Sequence, residues 1–296
     1  MKNKFIGTGV AIVTPFRRYG SIDFGSLTKL VEHLLLNGVD YLVVLGTTGE
    51  AATLSLTEKN AVVNHVVSIV EGKIPIVVGV GGNCTNGVVQ EFKKLDLDNV
   101  DGILSVTPYY NKPQPKGIYQ HYKTVASATD LPVILYNVPG RTGVNIPAEI
   151  VLKLANDIYN IVAVKEASGN MSQIMKIIND KPDGFGVISG DDQLTLPLIA
   201  SGASGVISVT ANAFPAEYSK MVNYSLNNDF IKAREIQYSL LNIMDTLFED
   251  GNPAGVKAAL EHLGILENNL RLPLVKVNKT VNNSLKSLIS EFRKKK

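Results

Sequence analysis

The sequence contains no tryptophan, one cysteine and only four histidines. Cys84 has no partner for an internal disulfide, so we expect the chain in the reducing cytoplasm. The histidines, His33, His65, His121 and His262, are scattered and lack the short spacings that are typical of zinc sites. We therefore expect no bound metal.

Long apolar runs and a dominant charge are also missing. No stretch approaches about 18 consecutive apolar residues, so we expect no membrane-spanning helix. Lys and Arg number 29 against 27 Asp and Glu, which leaves a formal charge of +2. So small a charge gives no broad basic surface for nucleic acid, and the composition favours a small-molecule substrate.

The chain does contain a repeated alternation of strand and helix patterns. Hydrophobic residues make up 45% of its 296 residues, enough for a large buried core. Segments of helical periodicity separate eight short β-branched runs, which end near Thr14, Gly46, Gly81, Pro108, Pro139, Ser168, Asp191 and Thr210. Eight parallel strands joined by crossover helices predict an α/β fold, a closed (β/α)8 TIM barrel.

From about residue 214 the patterns are helical only, with breaks at Gly251-Asn252-Pro253 and Arg271-Leu272-Pro273. We interpret residues 1–225 as a (β/α)8 catalytic barrel and residues 226–296 as a C-terminal helical extension. A doubly wound sheet is the competing architecture. Its best local sign, the glycine-rich segment 79–84, places Cys84 where a dinucleotide-binding loop needs its third glycine.

The active site of such a barrel forms at the C-terminal ends of its strands. Polar residues at the predicted strand ends include one lysine, one arginine and several hydroxyl groups: Thr47, Thr48, Glu50, Asn83, Tyr109, Tyr110, Tyr136, Asn137, Arg141, Lys165, Glu166, Asp191 and Asp192. The two acids after the seventh strand argue against a phosphate site there. They favour a carboxylated substrate over a phosphorylated one.

Lys165 is the candidate for covalent chemistry. Strand alternation groups it on one face with Ile161 and Ala163. Apolar surroundings penalise a charged ammonium group, so they favour the neutral amine that adds to a carbonyl. A structural lysine that pairs with Glu166 is the alternative, because ion pairs occupy many strand lysines.

Three neighbouring features suit the same chemistry. Tyr136 shares a strand face with Ile134, which places a proton donor and acceptor at the barrel mouth. The 46–50 turn offers backbone N–H groups and two hydroxyls to a small carboxylate. Arg141, on the loop after Tyr136, can fork onto a second carboxylate. Taken singly, these are also consistent with a core aromatic, a connector turn and an exposed loop arginine.

Five motifs in order resemble the dihydrodipicolinate synthase family of class I, pyruvate-dependent aldolases. They are Gly46-Thr47-Thr48-Gly49-Glu50, Thr107-Pro108-Tyr109-Tyr110-Asn111-Lys112-Pro113, Tyr136-Asn137-Val138-Pro139-Gly140-Arg141-Thr142-Gly143, Val164-Lys165-Glu166-Ala167-Ser168-Gly169 and Ser189-Gly190-Asp191-Asp192. The resemblance extends to residues 205–212 and into the helical extension. It therefore spans nearly the whole chain.

The resemblance implies a reaction and a set of catalytic residues. Lys165 would form an imine with pyruvate, and the derived enamine would attack the aldehyde of L-aspartate 4-semialdehyde. The product would be 4-hydroxy-tetrahydrodipicolinate, in the first committed step of diaminopimelate and lysine biosynthesis. Thr47, Tyr110 and Tyr136 would form a proton relay, with Tyr110 supplied by a neighbouring subunit.

The same resemblance implies which residues bind the substrates. Thr48 would hold the pyruvate carboxylate and Arg141 the carboxylate of the semialdehyde. The backbone near Ile207 would position the relay and the imine, and Gly190 would belong to the substrate site. Members of the family are usually homotetramers made of two tight dimers. No metal or organic cofactor is implied.

Two rival functions remain at this point. N-acetylneuraminate lyase and 2-oxo-3-deoxy-sugar-acid aldolases look similar around the lysine, but a polyhydroxylated substrate calls for hydroxyl and amide contacts, not the carboxylate clamp that Arg141 offers. A non-catalytic barrel that only binds a ligand is the rival from another class. The retained Lys165, Tyr136, Thr47 and Tyr110 argue against it.

The resemblance also concerns regulation, because many relatives are inhibited by lysine at a cleft in the dimer interface. Ala52, Asn83 and Tyr109 match what that site requires. Lys59 stands where lysine-sensitive members commonly carry histidine, and Gly87 stands where they carry a glutamate that meets the ammonium group of the effector. We therefore expect weak or absent inhibition by lysine.

Overall fold

The structure is a computed structural model that describes residue 1 and residues 3–294. Eight parallel strands pair in sequence order and close into a barrel. They are β1 Gly7–Ala11, β2 Tyr41–Val44, β3 Ile76–Gly79, β4 Gly102–Val106, β5 Val133–Asn137, β6 Ile161–Glu166, β7 Gly186–Ser189 and β8 Gly205–Ser208. The predicted fold class is confirmed.

Closure of the barrel occurs between β1 and β8, where Gly7 pairs with Gly205. A Cβ added at Gly205 would lie only 2.1 Å from the Gly7 carbonyl oxygen, and Gly205 has a φ of +145°. Any side chain would therefore separate the two strands. The glycine is required because the two backbones approach so closely.

The strands end two or three residues before the positions at which the apolar runs end. After β2 and β8 the chain turns at once into short 3-10 segments, Thr47–Gly49 and Thr210–Asn212. After β4 and β5 come Pro108 and Pro139, which have no N–H group to donate to a neighbouring strand. Apolar periodicity locates these strands correctly but overestimates their length.

In the described part of the chain, nine helices lie between or after the strands of the barrel, α1 Phe24–Leu36, α2 Leu56–Val70, α3 Thr85–Phe92, α4 Pro115–Ala126, α5 Pro139–Thr142, α6 Ala148–Asp157, α7 Met171–Asp180, α8 Thr195–Ala200 and α9 Pro215–Leu226. The extension adds α10 Phe230–Glu249, α11 Ala254–His262 and α12 Lys279–Lys294. Helix α10 packs on α9, and α12 packs on α10 and α11. The division into domains at 225/226 stays a prediction.

Helix ends follow local sequence signals. At the start of α2, the Ser55 side chain accepts from the Glu58 N–H, and the Glu58 carboxylate accepts from the Ser55 N–H, which is a capping box. At α1, the Asp23 carboxylate accepts from the Ser26 N–H. No helix within residues 3–294 is long and apolar enough to cross a membrane.

Strand alternation sorts the core into two layers. The outer layer fills the space between strands and helices. The barrel interior cluster fills the barrel and consists of Phe5, Ala11, Tyr41, Val43, Val77, Leu104, Ile134, Tyr136, Val138, Val162, Ala163, Ile188 and Ile207. Such filled interiors are the rule in TIM barrels.

The predicted grouping of Ile161 with Lys165 is wrong. The register between β5 and β6 shifts where Val133 pairs with Ile161 and Ile134 pairs with Ala163, so β6 has one additional residue there. Ile161 belongs to the outer layer, whereas Val162 and Ala163 belong to the interior. Alternation from Ala163 onward still places Lys165 on the inner face.

One buried histidine makes the stability of the fold dependent on pH. His121 of α4 is 4% exposed. Its Nδ1 lies 2.9 Å from the Thr85 hydroxyl, while Nε2 has no partner among the described residues. Burial lowers the pKa of His121 from 6.5 to about 4.

We expect the free energy of unfolding to fall as the pH drops from about 6.5 toward about 4, because the unfolded histidine binds a proton that the folded one excludes. The loss should be on the order of 3 kcal/mol. Urea unfolding across this range, with the non-titrating variant His121→Gln beside the wild type, measures it. Equal pH slopes in both proteins would contradict the assignment.

Candidate active site

A cavity of about 720 Å³ opens at the C-terminal ends of the barrel strands. The barrel contributes six of the eight expected site residues, Thr47, Thr48, Tyr136, Arg141, Lys165 and Gly190. The helical extension also contributes side chains, namely Asp245, Phe248, Glu249 and Asn252. The site is therefore built jointly by barrel and extension.

Lys165 lies at the inner end of this cavity. It is only 5% exposed and pairs in register with Tyr136 of β5 and Ile188 of β7. Its Nζ lies 4.4 Å from the centroid of the Tyr136 ring. Among the described residues, no carboxylate forms a salt bridge with Lys165.

Glu166, the alternative partner of Lys165, is occupied on the other face of the strand. Its Oε1 accepts from Asn137 Nδ2 at 2.9 Å and from Gln173 Nε2 at 3.2 Å. Its Oε2 accepts from the Ser168 hydroxyl at 2.7 Å, and burial raises the pKa of the Glu166 carboxyl. The ion-pair interpretation of Lys165 is thus wrong, and its amine faces the cavity.

Gly190 leaves the space that the Lys165 side chain occupies. Its N–H donates to the Glu166 carbonyl oxygen at 2.7 Å, which holds the backbone against β6. A Cβ at this position would lie 2.9 Å from Lys165 Cε and 2.8 Å from Ala167 Cβ. Both distances are shorter than contacts between carbon atoms allow, so a larger residue would displace the lysine.

The 46–50 turn forms another wall of the cavity. Glu50 ends it in the left-handed conformation, with a φ of +53°. Thr48 is buried, and its Oγ1 accepts from Asn252 Nδ2 at 2.9 Å. On the other side, the Thr14 hydroxyl donates to the Gly49 carbonyl at 2.7 Å. Thr47 is exposed toward the cavity.

Arg141 extends over the cavity from the short helix α5, which begins directly after β5. Its backbone N–H donates to the Val138 carbonyl at 2.9 Å. The guanidinium group is exposed and forms no hydrogen bond or salt bridge with the residues that the structure describes. A planar donor fork without a partner is available for a ligand carboxylate.

Within the single chain, the side chains of two expected site residues, Tyr110 and Ile207, do not line the cavity that holds the Lys165 amine. Tyr110 is 87% exposed on the loop after β4, has a φ of +72° and does not line the cavity. Ile207 of β8 is buried, and its side chain belongs to the barrel interior cluster. Its backbone pairs with Gly9 of β1.

A second cavity of about 610 Å³ adjoins the first and shares Thr47, Tyr136, Arg141 and Asn252 with it. Its remaining wall includes Ala52, Lys59, Glu91, Tyr109 and Leu274. Lys59 Nζ lies 2.5 Å from Glu91 Oε1, and both side chains are mostly buried. Lys59 thus faces this cavity and already has a counter-charge.

Sequence reasoning missed the contribution of the extension. In the sequence Asn252 only marks a break between helices, and Asp245, Phe248 and Glu249 show no more than a helical pattern. Asp192 has a role in the fold, because its Oδ2 accepts the N–H groups of Val209 and Thr210 at 3.1 and 2.8 Å. No local signal pairs residues that lie so far apart in the chain.

Comparison with known proteins gives a consistent result. The model of the family described as "Dihydrodipicolinate synthetase family" matches residues 4–292. A protein of Parabacteroides distasonis named 4-hydroxy-tetrahydrodipicolinate synthase is 55% identical over 269 residues, 91% of each chain. One with the same name from Phocaeicola vulgatus is 50% identical over 293 residues, 99% of each chain.

A solved structure agrees with these sequences. The crystal structure of dihydrodipicolinate synthase from Aquifex aeolicus is 42% identical and covers 98% of each chain, with a TM-score of 0.94. Sequence and fold therefore agree over nearly the full length of the chain. This chain belongs to the dihydrodipicolinate synthetase family.

Proposed function

We propose that the protein is a lyase of the class I aldolase type that condenses pyruvate with L-aspartate 4-semialdehyde to 4-hydroxy-tetrahydrodipicolinate. This is the first committed step of the diaminopimelate route to lysine. The observation that carries the proposal is the buried Lys165 amine, which has no carboxylate partner within residues 3–294 and lies against the Tyr136 ring. The named relatives support the choice of substrates.

The first chemical stage is formation of the imine. The neutral Lys165 amine adds to C2 of pyruvate, and the resulting carbinolamine loses its hydroxyl group as water. The Tyr136 phenol can donate the proton that this departing hydroxyl needs, because the amine lies 4.4 Å from the centroid of its ring. The 46–50 turn binds the pyruvate carboxylate through Thr48.

The second stage forms the carbon–carbon bond. Loss of a proton from the pyruvate methyl group gives an enamine, whose carbon attacks the aldehyde of the second substrate. Arg141 holds the carboxylate of that substrate with its unpaired guanidinium. The amino group of the bound product then attacks the imine carbon, closes the ring and releases Lys165, so the complete reaction yields one water.

We further propose a homotetramer built as a dimer of dimers, in which the partner's Tyr110 completes the proton relay with Thr47 and Tyr136. A tyrosine that is 87% exposed in a left-handed loop conformation supports this, because such a conformation is strained. The lone Cys84, free and exposed, suits a reducing cytoplasm, where we place the enzyme.

The rival substrates fit this cavity less well. N-acetylneuraminate lyase and 2-oxo-3-deoxy-sugar-acid aldolases act on chains of hydroxyl groups, whereas Arg141 offers to the cavity that Tyr136 also lines a guanidinium without a partner among the described residues. A non-catalytic binding protein would gain nothing from a buried lysine that has no carboxylate partner in the part of the chain that the structure describes, since burying a polar group without a partner is costly. The synthase is therefore the function that the geometry supports best.

Replacement of Lys165 should abolish formation of the imine with pyruvate. We expect Lys165→Ala and Lys165→Arg to lower kcat by orders of magnitude and to prevent borohydride trapping of pyruvate, because neither residue supplies a neutral primary amine. Peptide mass mapping after trapping measures this. Lys153→Ala, at an exposed lysine of α6, is the control and should trap normally. A stoichiometric adduct in Lys165→Ala would refute the assignment.

Replacement of Arg141 should separate the two substrates. We expect Arg141→Ala to raise the KM for aspartate semialdehyde about ten- to a hundredfold, the effect of losing one charged hydrogen bond. Borohydride trapping of pyruvate should persist at wild-type pyruvate concentrations. A variant that loses pyruvate binding but keeps its semialdehyde KM would show that the two carboxylate sites are interchanged.

Inhibition by lysine should be weak. Among the described residues that line the second cavity, two carry carboxylates, and both are already neutralised, Glu91 by Lys59 and Glu50 by Lys257. Gly87 supplies no carboxylate, so a cationic effector would lack a free counter-charge. In a titration at saturating pyruvate, we expect little inhibition at about 1 mM lysine. A site with a dissociation constant of about 1 mM would be half occupied at that concentration, so little inhibition there means weaker binding.

A variant that should gain sensitivity to lysine provides a second test. A Cβ at Gly87 would meet only Cys84 side-chain atoms, the nearest at 3.6 Å, so a glutamate fits there. Lys59→His/Gly87→Glu should be inhibited at lower lysine concentrations than the wild type. Strong cooperative inhibition of the wild type itself would mean that another group replaces the missing carboxylate.

A further inference from the structure

A second lysine is buried in this protein, outside the reaction described above. Lys257 of α11 forms a salt bridge with Glu50, the last residue of the 46–50 turn, and neither side chain is exposed to solvent. Lys257 Nζ also donates to the Asn269 carbonyl at 2.8 Å and lies 4.3 Å from the centroid of the Phe16 ring. The ammonium group is thus enclosed on several sides.

The ionic state of this pair follows from its surroundings. Burial lowers the pKa of Lys257 to about 8, while the neighbouring Glu50 carboxylate opposes that decrease. Lys257 is therefore predominantly protonated at neutral pH and can act as the partner of a carboxylate. A buried ion pair of this kind is seldom better for stability than well-packed apolar residues, so its presence points to the geometry that it imposes.

Arg271 completes the enclosure of Glu50. Its backbone N–H donates to Glu50 Oε2 at 3.1 Å. Its side chain forms a salt bridge with Glu58 and donates to the carbonyls of Thr53 at 2.8 Å and Gly20 at 2.9 Å. Both carboxylate oxygens of Glu50 are thus held by residues of the extension.

The turn that Glu50 ends is the proposed pyruvate carboxylate site. Its left-handed residue requires an external restraint, because a non-glycine residue at a φ of +53° is strained. The extension supplies that restraint at two residues of the turn. Asn252 bonds to Thr48, and Lys257 bonds to Glu50. Movement of the pair would move Thr47 and Thr48 with it.

We infer that Lys257 is a positioning residue which, through Glu50, fixes the 46–50 turn in the conformation that binds the carboxylate of pyruvate. It contacts no reacting atom and acts from the helical extension on the mouth of the barrel. The inference rests on the proposed function, since it assigns a purpose to the place where pyruvate binds.

The test compares pyruvate binding with stability. Lys257→Met alone would leave the buried Glu50 carboxylate without its counter-charge, with only the Arg271 N–H as a partner, and would strongly destabilise the fold. The double variant Glu50→Gln/Lys257→Met removes both charges and keeps similar side-chain volumes. We expect it to fold and to show a pyruvate KM raised about tenfold, with half-maximal borohydride trapping shifted equally. The KM for aspartate semialdehyde at saturating pyruvate should stay within about twofold.

Leu285→Ala is the matched control. Leu285 is fully buried in α12, which packs on α10 and α11 and carries none of the residues that bond to the turn. It should lower the midpoint of thermal unfolding and leave the pyruvate KM unchanged. Lys257→Arg, which keeps the charge, should restore part of the pyruvate affinity that the double variant loses.

Two results would overturn the inference. One is a double variant whose pyruvate KM and trapping curve match those of the wild type. The other is an equal rise of the pyruvate KM in Leu285→Ala, which would indicate a general effect of destabilisation. If the wild type itself formed no pyruvate adduct, the proposed function would fail instead, so the two failures are distinguishable.

Discussion

The pairing of β5 with β6 is the constraint on which the site depends. In this register Tyr136 lies opposite Lys165, and Asn137 lies opposite Glu166. Successive residues of a strand point to opposite faces, so one register places the amine and phenol inside the barrel and directs the carboxylate outward to its amide partner. A slip by one residue would place Glu166 in the cavity and remove the nucleophile from it.

The sequence predicted the barrel because each strand of a parallel sheet is an apolar run, and the periodicity of such runs is local information. It predicted the placement of Lys165, Tyr136 and Arg141 for the same reason, since each follows or ends such a run. The additional residue in β6 was not predictable, because Ile161 is apolar and suits either face. The predicted strand ends lie two or three residues beyond the observed ones, because an apolar pattern does not show where the pairing between strands stops.

Contacts between distant segments were beyond any local pattern. The Glu50–Lys257 bond joins residues 207 positions apart, and the bond from Asn252 to Thr48 spans 204 positions. Periodicity indicates that α11 has a buried face but does not indicate which polar group lies beneath it. The same holds for Lys59, whose partner Glu91 lies on the next helix of the barrel.

Partners distinguish the cations around the cavities. Lys59, Lys257 and Arg271 each have a carboxylate within the described chain, so their charge is already compensated and they hold helices, turn and extension together. Lys165 and Arg141 have none among the same residues, and both line the cavity in which we propose that the reaction takes place. The buried amine and the exposed guanidinium fork are therefore both free to engage a substrate in the proposed reaction, the amine through a carbonyl and the fork through a carboxylate. The absence of a carboxylate partner among the described residues separates these two basic side chains from the structural ones.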